Sequence, residues 1–401
     1  MNCSYDITED VQSSLLSSNP NLEYASEKIS SNLQVSMEDA NKLIYNIVLQ
    51  INKNLFPSVN RMELILTEGC NLGCSYCFEK NMLGYKKMPL SIAKKAVDIL
   101  FDYSRDDPIL SITHFGGEPT LNFEAIKYAT EYAEEKARKF KKTVEFHMTS
   151  NGVLINEEMA DYFARHHIMV LLSLDGLRLS NDKFRKDKFG NGTFDKVLKT
   201  LDLLKKTQRW VGIKMTIMPQ NAGNLYSDVI GLYALGVNQF IIGYASGIQW
   251  NNQELDIYQE QLSKVYEWYK NRSHDGLRIS EFDESHDKVF FGCQAGKNGI
   301  TITVDGQISP CARILALDNK QLLAKLGDIK FGIYNINNRS ELVTCKKVRR
   351  ECSNLGIDKE FQGGCFAINH EDNKDLFKPS LQKHKFSLIQ KQVCAGCSCK
   401  S

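Results

Sequence analysis

The segment MELILTEGCNLGCSYCFE (Met62–Glu79) passes from an alternating apolar run into a loop that carries Cys70, Cys74 and Cys77. MELILTE has the period-two pattern of a strand, and SIAKKAVDILFDYS beyond the cysteines has the spacing of an amphipathic helix. The alternation recurs in ILSITHF and FEAIKYATEYAEEKARKF, then in TVEFHMT and EEMADYFARHH, and in MVLLSLD and FDKVLKTLDLLKK. It ends with WVGIKMTIM and LYSDVIGLYALG, and with QFIIGYA and ELDIYQEQLSKVYEWYKNR. Six strand–helix units predict a parallel sheet with crossover helices. That is two units short of a full eight-fold barrel, so the expected class is α/β, with a sheet that either curves as a partial (β/α)6 TIM-like barrel or stays open. In such folds functional groups gather at the carboxyl ends of the strands. The three cysteines follow the first strand directly.

The flanks read differently. Residues 1–58 form a helical N-terminal extension. In SMEDANKLIYNIVLQINKNLF, Ser36 caps a helix with Asp39 three residues on, and Leu43, Ile44, Ile47, Val48 and Ile51 make an apolar stripe. FPSVN breaks it. The core spans 59–285. Residues 286–401 form a small, cysteine-rich α+β domain: GITITVDGQISPC is a hairpin turning at Asp305-Gly306, and the remainder reads as loop-rich. Many cysteines with few long apolar runs suit a domain held by metal clusters.

The chain has 401 residues, 42% hydrophobic and 24% charged, with a formal net charge of +2. No basic block suggests a nucleic-acid groove or a membrane patch. The polar, acidic start MNCSYDITEDVQSS is no signal peptide, and no apolar run is long enough to span a bilayer. The expected compartment is the cytoplasm. There, twelve cysteines are metal ligands or catalytic thiols rather than a disulfide framework. Besides Cys3 they fall in the opening loop and after residue 290, with none between Cys77 and Cys293.

The opening loop admits a zinc site, a redox pair or an iron–sulfur cluster. Zinc normally takes four ligands in paired groups, and no fourth Cys or His follows at zinc spacing. A redox pair of Cys74 and Cys77 leaves Cys70 idle. Three thiolates suit a [4Fe–4S] cluster with one iron left for an exchangeable ligand. CNLGCSYC resembles the signature of radical S-adenosylmethionine (radical SAM) enzymes. That resemblance implies that S-adenosylmethionine chelates the fourth iron and is cleaved by one electron to a 5′-deoxyadenosyl radical, in a site shielded from water.

Further motifs follow in the family's order. FGGEPT contributes Gly116 and Gly117, which allow close backbone approach, and Glu118, which can accept bonds from the methionine ammonium. Thr149, Ser150, Asn151 and Gly152 end the third strand, and Ser173, Asp175 and Gly176 the fourth. The resemblance implies that Tyr76, Gly116, Gly117, Glu118, Ser150, Asn151, Ser173, Asp175 and Arg185 form the cofactor site. The family's DGP and HD are only partly matched, by Asp175-Gly176-Leu177 and Asn181-Asp182.

CQAGKNGITITVDGQISPC resembles the opening of a SPASM domain, which implies one or two auxiliary [4Fe–4S] clusters. Cys293, Cys311 and Cys365, with Cys345 as an optional fourth, are assigned to one. Cys352, Cys394, Cys397 and Cys399 are assigned to the other, with zinc an alternative for the terminal group. Leu355 and Phe361 occupy two slots where the pattern has cysteines. Sulfatase maturases carry an aspartate after the cysteine matching Cys311, and this chain has Ala312, which accepts no proton. The resemblance therefore implies a radical SAM oxidoreductase that matures a ribosomally made, Cys-containing precursor peptide by thioether formation, fed by ferredoxin or flavodoxin. The alternatives are carbon–carbon cross-linking, sulfatase-maturase-like oxidation, and a non-enzymatic Fe–S scaffold or electron carrier. The helical extension is a candidate leader-peptide element.

Overall fold

Six parallel strands follow one another in chain order: β1 (Arg61–Ile65), β2 (Ile109–Phe115), β3 (Thr143–Ser150), β4 (Ile168–Ser173), β5 (Gly212–Ile217) and β6 (Gln239–Tyr244). Each is hydrogen-bonded to its predecessor in parallel. The computed structural model describes residues 20–208, 210, 212–272, 275–282, 293–317, 322–357 and 364–395. The six expected strand–helix units are all present.

Sequential order combined with right-handed crossovers puts the connecting helices on one side of a sheet. Burial follows that geometry. Leu64, Ile112, Met148, Val170, Met215 and Ile242 are buried beneath the helices. The alternate positions Glu63, Thr113, His147, Ser173 and Thr216 are only partly buried, and Lys214 is exposed. Parallel sheets are ordinarily covered on both faces. This one keeps a polar second face, which positions a site rather than a core.

The C-terminal hairpin does not form a sheet of its own. Strand β8 (Gly299–Ile302) pairs in parallel with β1, and β9 (Gln307–Ser309) pairs antiparallel with β8. With β7 (Arg278–Ile279) at the far edge and β10 (Gly327–Asp328) beyond β9, the sheet has ten strands. Gly306 turns the hairpin at φ 84°. The remainder of this region, expected to be loop-rich, is largely helical: Ile336–Thr344, Lys346–Asn354, Phe366–Asn373 and Leu381–Ala395. Its helices are short, or carry a mixed pattern that conceals the period.

Helices Leu22–Leu33 and Met37–Leu55 form the N-terminal extension. Ser36 caps the second as expected, accepting from the Asp39 amide at 3.1 Å. Ile44 and Val48 pack with Ile29, Phe331 and Tyr334, so the extension is joined to the C-terminal region. A fully buried guanidinium reinforces this contact. Arg339 donates to Asn52 Oδ1 at 2.7 Å, Pro57 O at 2.8 Å, Gly296 O at 3.0 Å and Lys297 O at 2.9 Å. Replacing it leaves several buried acceptors unpaired, each costing about 1–3 kcal/mol. Arg339→Met is expected to lower unfolding free energy by roughly 3 kcal/mol or more in urea titration.

Candidate active site

The cysteine loop is fixed from three directions. From β2, the Gly117 amide donates to Thr67 O at 3.1 Å and the Glu118 amide to Gly69 O at 2.8 Å. A Cβ on Gly116, at φ 131°, would lie 2.5 Å from Thr67 O, and one on Gly117 would collide with Gly69 O. Both glycines are therefore required by the approach of one loop to another. From β3, Asn151 Nδ2 donates to Asn71 Oδ1 at 2.8 Å. From β4, the buried Asp175 accepts from the Tyr76 hydroxyl, between Cys74 and Cys77.

Asp175 is also paired with Arg185, whose Nε and Nη2 donate at 2.9 and 3.1 Å, while Asp175 Oδ1 accepts the Thr216 amide at 2.8 Å. Two residues expected to face a cofactor thus bind each other. Arg185 lies over the Tyr76 ring, 5.4 Å from its centroid. Glu118 is buried, with Oε1 accepting from Ser150 Oγ at 2.8 Å and Thr120 Oγ1 at 2.6 Å, and Oε2 from the Asn151 amide at 2.8 Å. Burial raises its pKa, opposed by these bonds. Glu118 thus joins the ends of β2 and β3, bringing together Gly116, Gly117, Ser150 and Asn151. Ser173 lies on the open face beside Lys214.

The three thiols feel one another's charge. Burial pushes Cys70 up to about 12 and Cys77 to about 11, and raises Cys74 against the pull of Arg185. Left alone they would stay protonated, so they need a metal to become thiolates. Among the described residues no three Cys, His, Asp or Glu side chains converge closely enough for a single metal ion. A four-iron cube takes one thiolate per iron and needs no such convergence. Three buried thiols on one loop are a donor set that would suit such a cluster.

Cys293, Cys311 and Cys365 make a second electrostatically coupled group. Burial pushes Cys293 up to about 11 and Cys311 well above the ordinary thiol range. Cys345, at φ 52°, instead turns its buried thiol to Leu342 O at 3.1 Å. Cys352 is buried in helix Lys346–Asn354, and Cys394 lies on Leu381–Ala395. Cys3, Phe361, Cys397 and Cys399 lie outside the described residues.

Sequence reasoning missed several charged groups facing the sheet's open side. Glu63 on β1 accepts from Thr301 Oγ1 at 2.7 Å and lies 3.4 Å from the Ala312 amide nitrogen. Glu79 is buried with Oε1 unpartnered, and burial raises its pKa to about 8. Lys214 is reached by solvent yet closely surrounded by protein, which lowers its pKa with help from Arg313 and Arg185. The available signal was a lysine inside the mainly apolar strand GIKMTI. Arg313 pairs with Glu371 at 2.9 Å and lies over the Phe78 ring, joining the second thiol group to the first loop. A larger groove of about 1030 Å³ along helix Asn252–Lys270 lies away from all of these.

Residues 64–225 match the radical SAM superfamily. The uncharacterized protein MJ0907 of Methanocaldococcus jannaschii is 33% identical over 183 residues, 46% of this chain and 62% of that protein. The chain thus spans less than two thirds of that relative's length. The cysteine-type anaerobic sulfatase-maturating enzyme of Clostridium perfringens (strain ATCC 13124) is 24% identical over 335 residues, covering 77% of this chain and 89% of the enzyme. The solved structure of Streptococcus suis SuiB bound to precursor peptide SuiA shares the fold. Its TM-score is 0.60 at 18% identity, covering 86% of this chain and 79% of SuiB.

The loop after β4 makes a prediction about pH. Asp228 is buried beside Gly176, accepts the Leu177 amide at 2.8 Å and leaves Oδ2 unpartnered. Burial raises its pKa to about 6. The folded state then holds a proton that the unfolded state releases, so stability falls as pH rises from about 4 to about 6. Asp228→Asn keeps an acceptor for Leu177. It is expected to flatten that fall and to gain on the order of 2 kcal/mol at pH 7, read by thermal or urea unfolding across pH.

Proposed function

This chain carries a radical SAM domain over residues 64–225, and from that premise we propose an enzyme that matures a ribosomally made precursor peptide by forming a thioether. The observation that supports the chemistry is the juxtaposition of the Cys70–Cys77 loop with a polar, uncovered sheet face. A bound cluster with S-adenosylmethionine supplies a one-electron cleavage that yields a hydrogen-abstracting radical. Cys70, Cys74 and Cys77 hold that cluster, and the Tyr76–Asp175–Arg185 group orients their loop. Ser173 and Lys214 border the face where substrate would lie. The peptide class is supported by the likeness to SuiB, solved with a precursor peptide, and by the sulfatase-maturating relative.

In this reading Cys293, Cys311 and Cys365 would hold an auxiliary cluster, and the chemistry it would supply is binding of the peptide thiol as a thiolate. Cys352 and Cys394, with Cys397 and Cys399, hold the other. Cys345 stays a buried thiol bonded to its own helix. A second reading has one specific support: Ala312 removes the maturase carboxylate, but Glu63 brings one to the Ala312 amide from β1. That would serve oxidation of a Cys or Ser side chain.

Replacing Cys70, Cys74 and Cys77 together by alanine is expected to abolish 5′-deoxyadenosine formation while the auxiliary iron survives. Continued cofactor cleavage would refute the radical chemistry. Mass spectrometry of a co-expressed candidate precursor should show two hydrogens lost per cross-link, with the bond at a cysteine sulfur. Cys345→Ala should keep both its iron content and its cross-linking. Loss of a whole cluster in that variant would make Cys345 a ligand and remove direct thiol binding at that group.

A further inference from the structure

A cleft of about 580 Å³ opens on the outer side of the cysteine loop, with Thr67, Gly69, Cys70 and Asn71 as its floor. Two surface segments form its walls and are fixed to the floor by backbone bonds. The Glu68 amide donates to Lys86 O and the Gly73 amide to Lys186 O, each at 2.9 Å. At the rim stand Tyr85, 98% exposed, and Phe189, 91% exposed, the two most exposed large hydrophobic residues among those described. Lys87 and Lys188 also line the cleft, exposed and without an ion-pair partner among the described residues. Asp187, the only carboxylate in the lining, is already satisfied: its Oδ1 accepts the amides of Phe189 and Asn191 at 2.9 Å, and Lys196 lies 3.7 Å away. Rings of this size held in water beside unpaired cations mark a contact surface for something both apolar and acidic.

The chain itself supplies such an occupant. Residues 1–19, MNCSYDITEDVQSSLLSSN, carry Asp6, Glu9 and Asp10 and no Lys, Arg or His. Tyr5, Ile7 and Val11 lie among these acids. The segment is outside the described residues and joins them at Pro20. Three contacts lead from that junction to the rim of the cleft. Glu23 pairs with Lys330 at 2.5 Å, the Ile329 amide donates to Gly306 O at 2.9 Å, and Asp305 pairs with Lys86 at 2.7 Å, between Tyr85 and Lys87 in the chain. Residues 1–19 reach at most about 60 Å when extended, more than three contacts of this kind can span. Tethering also gives the segment a local concentration on the order of millimolar, so a few weak contacts suffice to seat it, whereas a second copy of the chain has no such advantage.

We infer that residues 1–19 seat in this cleft, with Tyr5 and Ile7 against Tyr85 and Phe189 and the carboxylates toward Lys87 and Lys188. The seated segment covers the outer side of the cysteine loop at Cys70. None of the residues assigned to S-adenosylmethionine lines the cleft, nor do the open-face groups Glu63 and Lys214, so the polar face of the sheet stays free. The contact is independent of the reaction proposed above.

The first test uses the full-length protein with p-benzoylphenylalanine in place of Tyr85 or of Phe189. Irradiation and peptide mass spectrometry should join each position to residues 1–19, with a yield that does not change on tenfold dilution. The second test uses a variant lacking residues 2–19, checked for an unchanged thermal unfolding temperature, and a labelled synthetic peptide of residues 1–19 as the probe. The peptide should bind in fluorescence anisotropy, and more weakly as salt rises. Tyr85→Ala with Phe189→Ala, and separately Lys87→Glu with Lys188→Glu, should each weaken that binding about tenfold or more. Cross-links that miss residues 1–19 overturn the inference. Cross-links that fade on dilution also overturn it, because they assign the cleft to a second copy. Peptide binding that neither pair of substitutions weakens overturns it as well. A truncated variant that failed to fold would leave the decision to the full-length cross-linking, which needs no deletion.

Discussion

The buried pair Asp175–Arg185 is the constraint on which the site depends. A carboxylate with no solvent contact needs its charge matched and its lone pairs used, and Asp175 meets both needs with Arg185, the Tyr76 hydroxyl and the Thr216 amide. These partners come from the cysteine loop, from the segment after helix Arg178–Phe184 and from β5. One side chain therefore sets the distance between the cysteine loop and two strand ends. Glu118 plays the matching part on the other side, where its donors come from β3 and from its own turn. The loop lies between two buried carboxylates, and both are committed to protein donors.

That arrangement makes sense on a sheet covered on one side only. Helices bury the apolar positions, so the alternate positions can carry Glu63, Thr113, His147 and Lys214 without a packing cost. A substrate laid there would meet charge of both signs. The C-terminal region closes the geometry: β8 extends the sheet past β1, and Arg313 bridges to Phe78 beside Cys77. The two thiol groups are therefore held in fixed relation by a shared sheet and by a cation–π contact.

The strand–helix succession, the cap at Ser36 and the turn at Gly306 were legible because each is a local pattern: periodicity, a hydroxyl before a helix, a glycine at positive φ. The cysteine loop was legible because its ligands are close in sequence. What could not be read were contacts between distant segments. Glu63 and Ala312 are far apart in the chain and meet only because β8 pairs with β1. Arg339 is an ordinary basic residue in sequence, yet it is the largest fully buried side chain among the described residues. Asp175 and Arg185 each matched an expected cofactor position, and nothing in the sequence indicated that they would pair with one another.

Thiol acidity separates the cysteines by what surrounds them. In both coupled groups, burial pushes thiols above the ordinary range while neighbouring thiols add repulsion. Several such groups kept close together do not help an apoprotein, because each would be an underused donor with like neighbours. Metal reverses the sign, since coordination stabilises the thiolate and turns proximity into an advantage. Cys345 differs in its contact: its thiol donates to Leu342 O. A metal at Cys293 and Cys311 would relieve the cost of burying them, while the Cys345 thiol already has a partner within the protein.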